Sequence, residues 1–545
     1  MRVPVNIPPG IVVDDTTFSV GQTAWSDMDK FRFWRDKPQV LGGWQKLVNT
    51  SLTGVCRNAY SWSDNAAQLN IAFGTHTNLQ LYLGGQLYDI TPASGFTAGN
   101  INGTGGAGYG TGEYSVGYYS QPSNNAFYPL TWSLSAYGQY LMACPRGQTI
   151  FEWTNNTADP AAALSNAPAN VTYMLCSNTR QVIAFGCNQV ANGVFNPRNI
   201  RGTDFQNPTQ WTPNDLGEGA FEFTLSGSGQ IMGARLIGDY IFVWTDSGLY
   251  QGSFDASNGW LFPQIGHNCG LAGPNAAVIV AEQSAFWFGS NGQFWGCVLG
   301  GVPQIIPCPM QEDVFNNITP SQQAKIVVSS CAQYGEIRMD YPDQRDGFEN
   351  SRYLIYSTGA NLTPVASYSR IDGVWSKGTM LRTAYTDAGP SPYPIGVASY
   401  PDGLPLLDAS GNPEYDAYGQ PLTDGEPQCY AYYHEVGQSA DGAPIDAWIQ
   451  SADFYAGNAD QVTVIRGIWP DIENQQGALS LSLLYRYYPQ DTVRTAGPYM
   501  ISAGQSKKDF MVSARILALR YEINSSPAFM RLGQPSYDAV QAGIR

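Results

Sequence analysis

From residue 54 onward one unit recurs: an apolar or aromatic run, a short turn containing Gly, and a second aromatic run. Copies fall at Gln68-Leu-Asn-Ile-Ala-Phe73 with Leu79-Gln-Leu-Tyr-Leu83, at Tyr140-Leu-Met-Ala143 with Ile150-Phe-Glu-Trp153, at Tyr240-Ile-Phe-Val-Trp-Thr-Asp-Ser-Gly-Leu-Tyr250, and at Ala285-Phe-Trp-Phe-Gly-Ser-Asn-Gly-Gln-Phe-Trp295. Less regular copies follow at Tyr353-Leu-Ile-Tyr356 with Val374-Trp375 and at Val397-Ala-Ser-Tyr400 with Tyr430-Ala-Tyr-Tyr433. Short runs of β-favouring residues around Gly turns read as β-hairpins. The copies stand roughly 45 to 75 residues apart, close to the ~40–50 of propeller blades, with the excess held in insertions. Two β-sandwiches would give the same hairpins without that spacing. With 59 Gly and 35 Pro, residues that interrupt helices, the chain is expected to be all-β: a β-propeller of about six blades over residues 51–444.

Residues 1–50 differ from the repeat. They mix Pro-rich extended chain with Trp25, Phe31, Phe33, Trp34 and Trp44, and so read as an N-terminal extended arm that packs on the protein's own body or on a partner. Beyond residue 445, Leu479, Leu481 and Leu483 alternate with serines, and Leu517, Leu519, Tyr521 and Ile523 fall on one face. That two-residue period predicts a C-terminal antiparallel β-domain over 445–545. Two insertions interrupt the propeller. The first, 95–128, is Gly-rich, with glycine at half of positions 99–112, too flexible to build a core; the second, 404–428, alternates turn residues with acids and reads as a solvated acidic hairpin.

The formal charge is −16 and only 13% of residues are charged. DNA is gripped through phosphate neutralisation by Lys and Arg, so tight DNA binding is disfavoured. No run approaches the ~18 apolar residues of a membrane span, and the first residues lack the apolar core of a signal peptide, which reads as a cytoplasmic product. The cysteines at 56, 144, 176, 187, 269, 297, 308, 331 and 429 show no CxxC spacing and read as buried thiols.

Motifs for chemistry are scarce. Gly103, Gly105 and Gly108 form a GxGxxG without the helix a dinucleotide site needs, and no Gly-Lys pair exists for a P-loop. His76, His267 and His434 lie at no metal-binding spacing and read as structural. Glycoside cleavage needs only two carboxylates, and Asp246, Asp340, Asp343 and Asp372 lie near predicted turns, yet the sialidase Asp-box survives only as fragments at 244–248 and 369–375. The expected catalytic, cofactor-binding and metal-binding residues are therefore none, and the chain is read as a non-enzyme.

Three stretches nevertheless carry a resemblance. Asn199-Ile-Arg-Gly-Thr-Asp-Phe-Gln-Asn-Pro-Thr-Gln-Trp211, the run from Gly229 to Tyr250, and Cys269-Gly-Leu-Ala-Gly-Pro274 resemble the tail accessory and nozzle proteins of short-tailed bacteriophages, namely packaged-DNA stabilisation proteins and, more distantly, tail tubular protein B. The opening Arg32-Phe33, Pro38 and Gly42-Gly43-Trp44 is similar to this family, as is the ending with Trp469-Pro-Asp471, Ser513-Ala-Arg-Ile-Leu-Ala-Leu-Arg520, Arg531-Leu-Gly533, Asp538-Ala539 and Gly543-Ile-Arg545. The resemblance implies a structural virion protein: a homohexameric ring below the portal and adaptor, contacting a tail fibre or needle, that retains packaged double-stranded DNA and conducts it during ejection. It carries no catalytic residues and no cofactor. An acidic, weakly charged wall suits such a conduit, because it repels phosphate and lets a duplex slide. A glycan-binding or glycan-cleaving propeller subunit of the tail is the alternative, and an exported adhesin a third.

Overall fold

The computed structural model describes the chain except residues 21–23, 104–127, 214–218, 228, 256–258, 359–372, 405, 407, 409–413, 415–421, 459 and 543–545. The Gly-rich insertion from 104 to 127, and most of the acidic hairpin, thus lie outside the described residues.

The protein is all-β and carries a β-propeller. Among the described residues, seven antiparallel sheets follow one another at 56–89, 132–163, 171–224, 231–267, 277–306, 327–379 and 384–434, and we number them blades 1 to 7. Six are meanders of consecutive strands, the fourth with one extra strand. Their first strands, Cys56–Ser63, Trp132–Tyr137, Val171–Cys176, Ile231–Ile237, Ala277–Val280, Val327–Cys331 and Ala384–Thr386, touch in cyclic order, and the last touches the first. The ring is therefore closed around an axis.

The sequence reading of about six blades is one short, and the missed blade is the third. Its first turn has no glycine: Arg180 takes the left-handed conformation there, with φ of 57°, a position where Gly is the usual signal. The turn holds because Ser177 N–H donates to Gln181 O at 2.9 Å and Arg180 N–H to Ser177 O at 3.0 Å.

Neighbouring blades share apolar layers, which is what a stack of half-buried sheets requires. Ile71 and Phe73 meet Ile395 and Val397 between blades 1 and 7; Met142 and Cys144 meet Met174 and Val182 between blades 2 and 3; Ile183 and Phe185 meet Ile241 and Val243 between blades 3 and 4. Trp132 shows how tight this packing is. Its indole N–H donates to Thr75 O at 2.7 Å, and a Cβ on Gly74 would stand 2.4 Å from its ring, so only glycine lets the two blades approach this closely.

Residues 1–50, read above as an arm, are woven into the rest of the chain. Trp44–Lys46 pairs with Gln428–His434 and supplies the fourth strand of blade 7. Arg2–Pro4 pairs with Ser536–Gln541, Trp25–Asp29 with Ile445–Ser451, and the hairpin of Phe31–Trp34 and Lys37–Val40 meets Phe529–Leu532 at Gln39 and Arg531. The result is three further sheets built from residues 2–40 and 445–541. One continuous core runs from Trp287, Met339 and Leu354 of the propeller through Phe31 and Met28 into Ile449, Leu481 and Leu519 of this β-domain.

Candidate functional site: the axial well

The first strands of the seven blades enclose a cavity of about 610 Å³ lined from every blade, including Tyr60, Ser135, Tyr173, Arg235, Ser329 and Asp387. Its two ends differ. Where the inner strands begin, Arg57, Thr131, Val171, Ile231 and Lys325 are buried; where they end, Asn178 and Ala388 reach solvent. The cavity is therefore a well with a floor and one mouth.

Buried ions make the floor. Arg57 grips Glu349 with two parallel hydrogen bonds, Nη1 to Oε2 at 2.6 Å and Nη2 to Oε1 at 2.8 Å, the bidentate geometry in which a guanidinium matches a carboxylate. Lys325 Nζ uses all three donors, on Glu349 Oε1 at 2.9 Å, Asn102 Oδ1 at 2.7 Å and Phe348 O at 2.6 Å. Burial and the Arg57 charge pull the ammonium down to about 8, against the attraction of Glu349. Burial pushes the Glu349 carboxyl up, but the charge and hydrogen bonds of Arg57 and then of Lys325 leave it below the usual range. Gln322 completes the plug, its amide pairing with both the N–H and the C=O of Gly103 at 3.2 and 2.7 Å.

The acids singled out from sequence do not converge on this well. Asp340 is buried and held by Arg338, whose Nη2 donates to Oδ1 at 2.7 Å and whose Nε donates at 2.9 Å to Oδ2. Asp343 accepts from Arg345 Nε at 2.8 Å and Nη2 at 2.6 Å. Both belong to the blade 6 region, whereas Asp246 sits in a blade 4 turn and accepts the Gln230 N–H at 3.3 Å; Asp372 lies outside the described residues. The structure thus pairs Asp340 and Asp343 with arginines and does not bring Asp246 to them. Of the GxGxxG glycines, Gly103 is in the plug, while Gly105 and Gly108 lie outside the described residues.

The histidines are engaged within the fold. His76 Nδ1 accepts the Val55 N–H at 2.9 Å, and burial, then Arg57, pulls its pKa down. His434 is buried with Nε2 accepting from Arg382 Nε at 2.8 Å; burial and then that guanidinium push its pKa well below the ordinary value, so the ring is neutral. His267, at the surface, contacts Gln264 Nε2 at 3.0 Å.

All nine cysteines are free thiols, and Cys176, on the wall of the well, is the one not fully buried. Burial pushes the thiols up, to about 11 for Cys269 and Cys297 and about 12 for Cys176. Because the thiolate is the reactive species, a disulfide thiol reagent at neutral pH is expected to leave the native protein unmodified and to titrate all nine thiols after denaturation. Fast reaction of Cys176 in the folded protein would contradict this.

Sequence reasoning missed Arg235, Tyr173 and Asp387. A faint signal was available, since Arg235 is a lone charge within the apolar run Ile231–Ile237. Among the described residues no group of three metal-ligating side chains occurs, and no helix is long and apolar enough to cross a membrane.

No family model matches the chain. No curated protein sequence matches it. Among solved structures it is similar to the crystal structure of the Saccharomyces cerevisiae Sqt1, with 8% identity and a TM-score of 0.38 over 89% of this chain and 100% of that one.

Proposed function

We propose that this chain is a structural subunit of a short bacteriophage tail, a nozzle or hub protein whose six copies form a ring below the portal and adaptor, hold the packaged genome and conduct it during ejection. The observation that carries the reading is that resemblance segments from the opening, the middle and the ending meet in one core, while the stretch from Asn199 to Trp211 packs into two neighbouring cores through Ile200 and Trp211. Phe33 from the opening, Met232, Trp244, Cys269 and Leu271 from the middle, and Leu517, Leu519 and Leu532 from the ending all belong to the shared core. Polar contacts reinforce the meeting: Arg531 donates from Nε and Nη2 to Gln39 Oε1 at 3.0 and 2.8 Å, and Gly533 N–H donates to Asp471 O at 2.7 Å. Segments far apart in sequence that share a family pattern and build one rigid unit are those a tail subunit needs to keep together.

In this reading the duplex runs between subunits. A well of about 610 Å³ with a plugged floor has no room for B-DNA, whose major groove alone is about 12 Å wide. The net charge of −16 disfavours adsorption of the passing phosphates. The test is the mass of the purified protein by light scattering, with negative-stain images, alone and with a portal–adaptor complex. Six-fold rings with a central hole are expected. A compact trimer, or a monomer that stays monomeric on the complex, overturns the reading, as does cleavage of host polysaccharide.

A further inference from the structure

Among the described residues, two charges on the wall of the well have no counter-charge. Arg235, on blade 4, spends its hydrogen bonds on neutral oxygens: Nε on Ala277 O at 3.1 Å, Nη1 on Ala234 O at 2.9 Å and on the Tyr173 hydroxyl, and Nη2 on Pro274 O at 3.2 Å. One Nη2–H is left over, because a guanidinium has five donors. The Tyr173 hydroxyl accepts from Arg235, so its own proton remains to be donated. Asp387, on blade 7, accepts the Ala332 N–H at 2.6 Å through Oδ2, has no cationic partner among the described residues, and has Glu435 as a like-charged neighbour. Beside it in blade 6, Ser329 is buried with an unpartnered Oγ.

In a ring of seven, blades 4 and 7 lie on opposite sides of the axis. The well therefore has a pole of positive charge and spare donors facing a pole of negative charge and a spare hydroxyl. Arg235 and Asp387 are half-buried, charges withdrawn in part from water are costly when left unpaired, and here one small molecule would meet both. A simple anion is repelled by Asp387 and a simple cation by Arg235; a neutral sugar leaves both charges uncompensated. The volume falls within the ~300–1,000 Å³ of small-molecule sites. Poles on opposite walls favour a ligand whose charges stand apart, and a peptide of two to four residues separates its ends by roughly 7–14 Å at about 3.3–3.6 Å per residue.

We propose that the axial well binds a small zwitterion of the short-peptide type, carboxylate toward Arg235 and Tyr173 and ammonium toward Asp387. The proposal stands apart from the tail reading, since neither requires the other.

The experiment is titration calorimetry on the full chain with glycine, diglycine, triglycine and tetraglycine, and with triglycine blocked by N-acetylation or C-amidation. Saturable binding of at least one free oligomer is expected, with either blocked form about tenfold or more weaker, as loss of one charged contact implies. Asp387→Asn keeps an acceptor for Ala332 and is expected to abolish the preference for the free amine. Tyr173→Phe is expected to reduce the preference for the free carboxylate. Absence of binding by every oligomer overturns the proposal, as does equal binding of free and blocked triglycine by the wild-type chain. Retention of the amine preference by a folded Asp387→Asn, judged by an unchanged melting curve, overturns the assignment of Asp387.

Discussion

Arg32→Met is expected to destabilise the protein by about 3–5 kcal/mol, the range for breaking a buried ion pair from one side. The Arg32 side chain is 1% exposed and stands between Glu336, with Nη1 3.4 Å from Oε2, and Glu435, which accepts from Nη2. It also lies over the Tyr334 ring at 3.7 Å. Burial alone would lower the guanidinium pKa, and the two carboxylates more than offset it. One cation between two acids leaves Glu336 undercompensated: burial, opposed by Arg32 and aided by Glu435, pushes its carboxyl up to about 7.

The pH dependence has a definite sign. Because Glu336 holds its proton more tightly folded than unfolded, its contribution to stability falls as pH rises from the ordinary carboxylate range through about 7. Without Arg32 both acids are orphaned, so the deficit of Arg32→Met should be larger at pH 8 than at pH 5. Denaturant melts of the two proteins at both values measure this. A deficit that does not vary with pH would mean that lost packing, not charge, dominates. Adding Glu336→Gln and Glu435→Gln to Arg32→Met should recover part of the loss.

Deleting residues 1–46 is expected to abolish cooperative folding altogether. Among the buried apolar side chains that the deletion removes, seven, Val5, Ile11, Trp25, Met28, Phe31, Phe33 and Val40, belong to the core shared by the propeller and the β-domain. At ~1.5–3 kcal/mol each their burial amounts to about 10–20 kcal/mol, comparable with or above the ~5–15 kcal/mol stability of a whole domain. It also strips the pairing partners from Gln428–His434, Ile445–Ser451 and Ser536–Gln541, leaving open edges that invite aggregation. Soluble yield and a thermal melt report the outcome. A truncated chain that melts as the full chain does would show that these strands decorate the fold instead of completing it.

The hairpins legible in the sequence were those whose turns carry glycine. Tyr240–Thr245 runs through Ser247 into Gly248–Asp255, and Ser284–Phe288 turns at Gly289 and Gly292 into Phe294–Val298, so local chemistry alone announces them. In blade 3 the first turn lacks that signal, with Arg180 in the left-handed position and held there by Ser177 and Gln181, although its second turn does carry Gly193. The strands of residues 1–46 were read as an arm because their partners lie hundreds of residues away; nothing local to Gln39 points to Arg531. The well was illegible for a related reason. Each blade contributes only a few residues to it, and Arg235 and Asp387 become a pair only once the ring has closed.

That closure has a consequence for how the protein is made. The amino group of Met1 donates to the carbonyl of Ala539 at 2.7 Å, 538 positions apart in sequence, and Trp44–Lys46 finds its place only beside Gln428–His434. At translation rates of ~5–20 residues per second, a chain of 545 residues takes about 30–110 s to emerge. For most of that time the first strands have no partner. The aromatic opening is therefore made long before its partners: blade 7 cannot be completed until Gln428–His434 has emerged, and the sheets built on residues 2–40 must wait for the strands between Ile445 and Gln541.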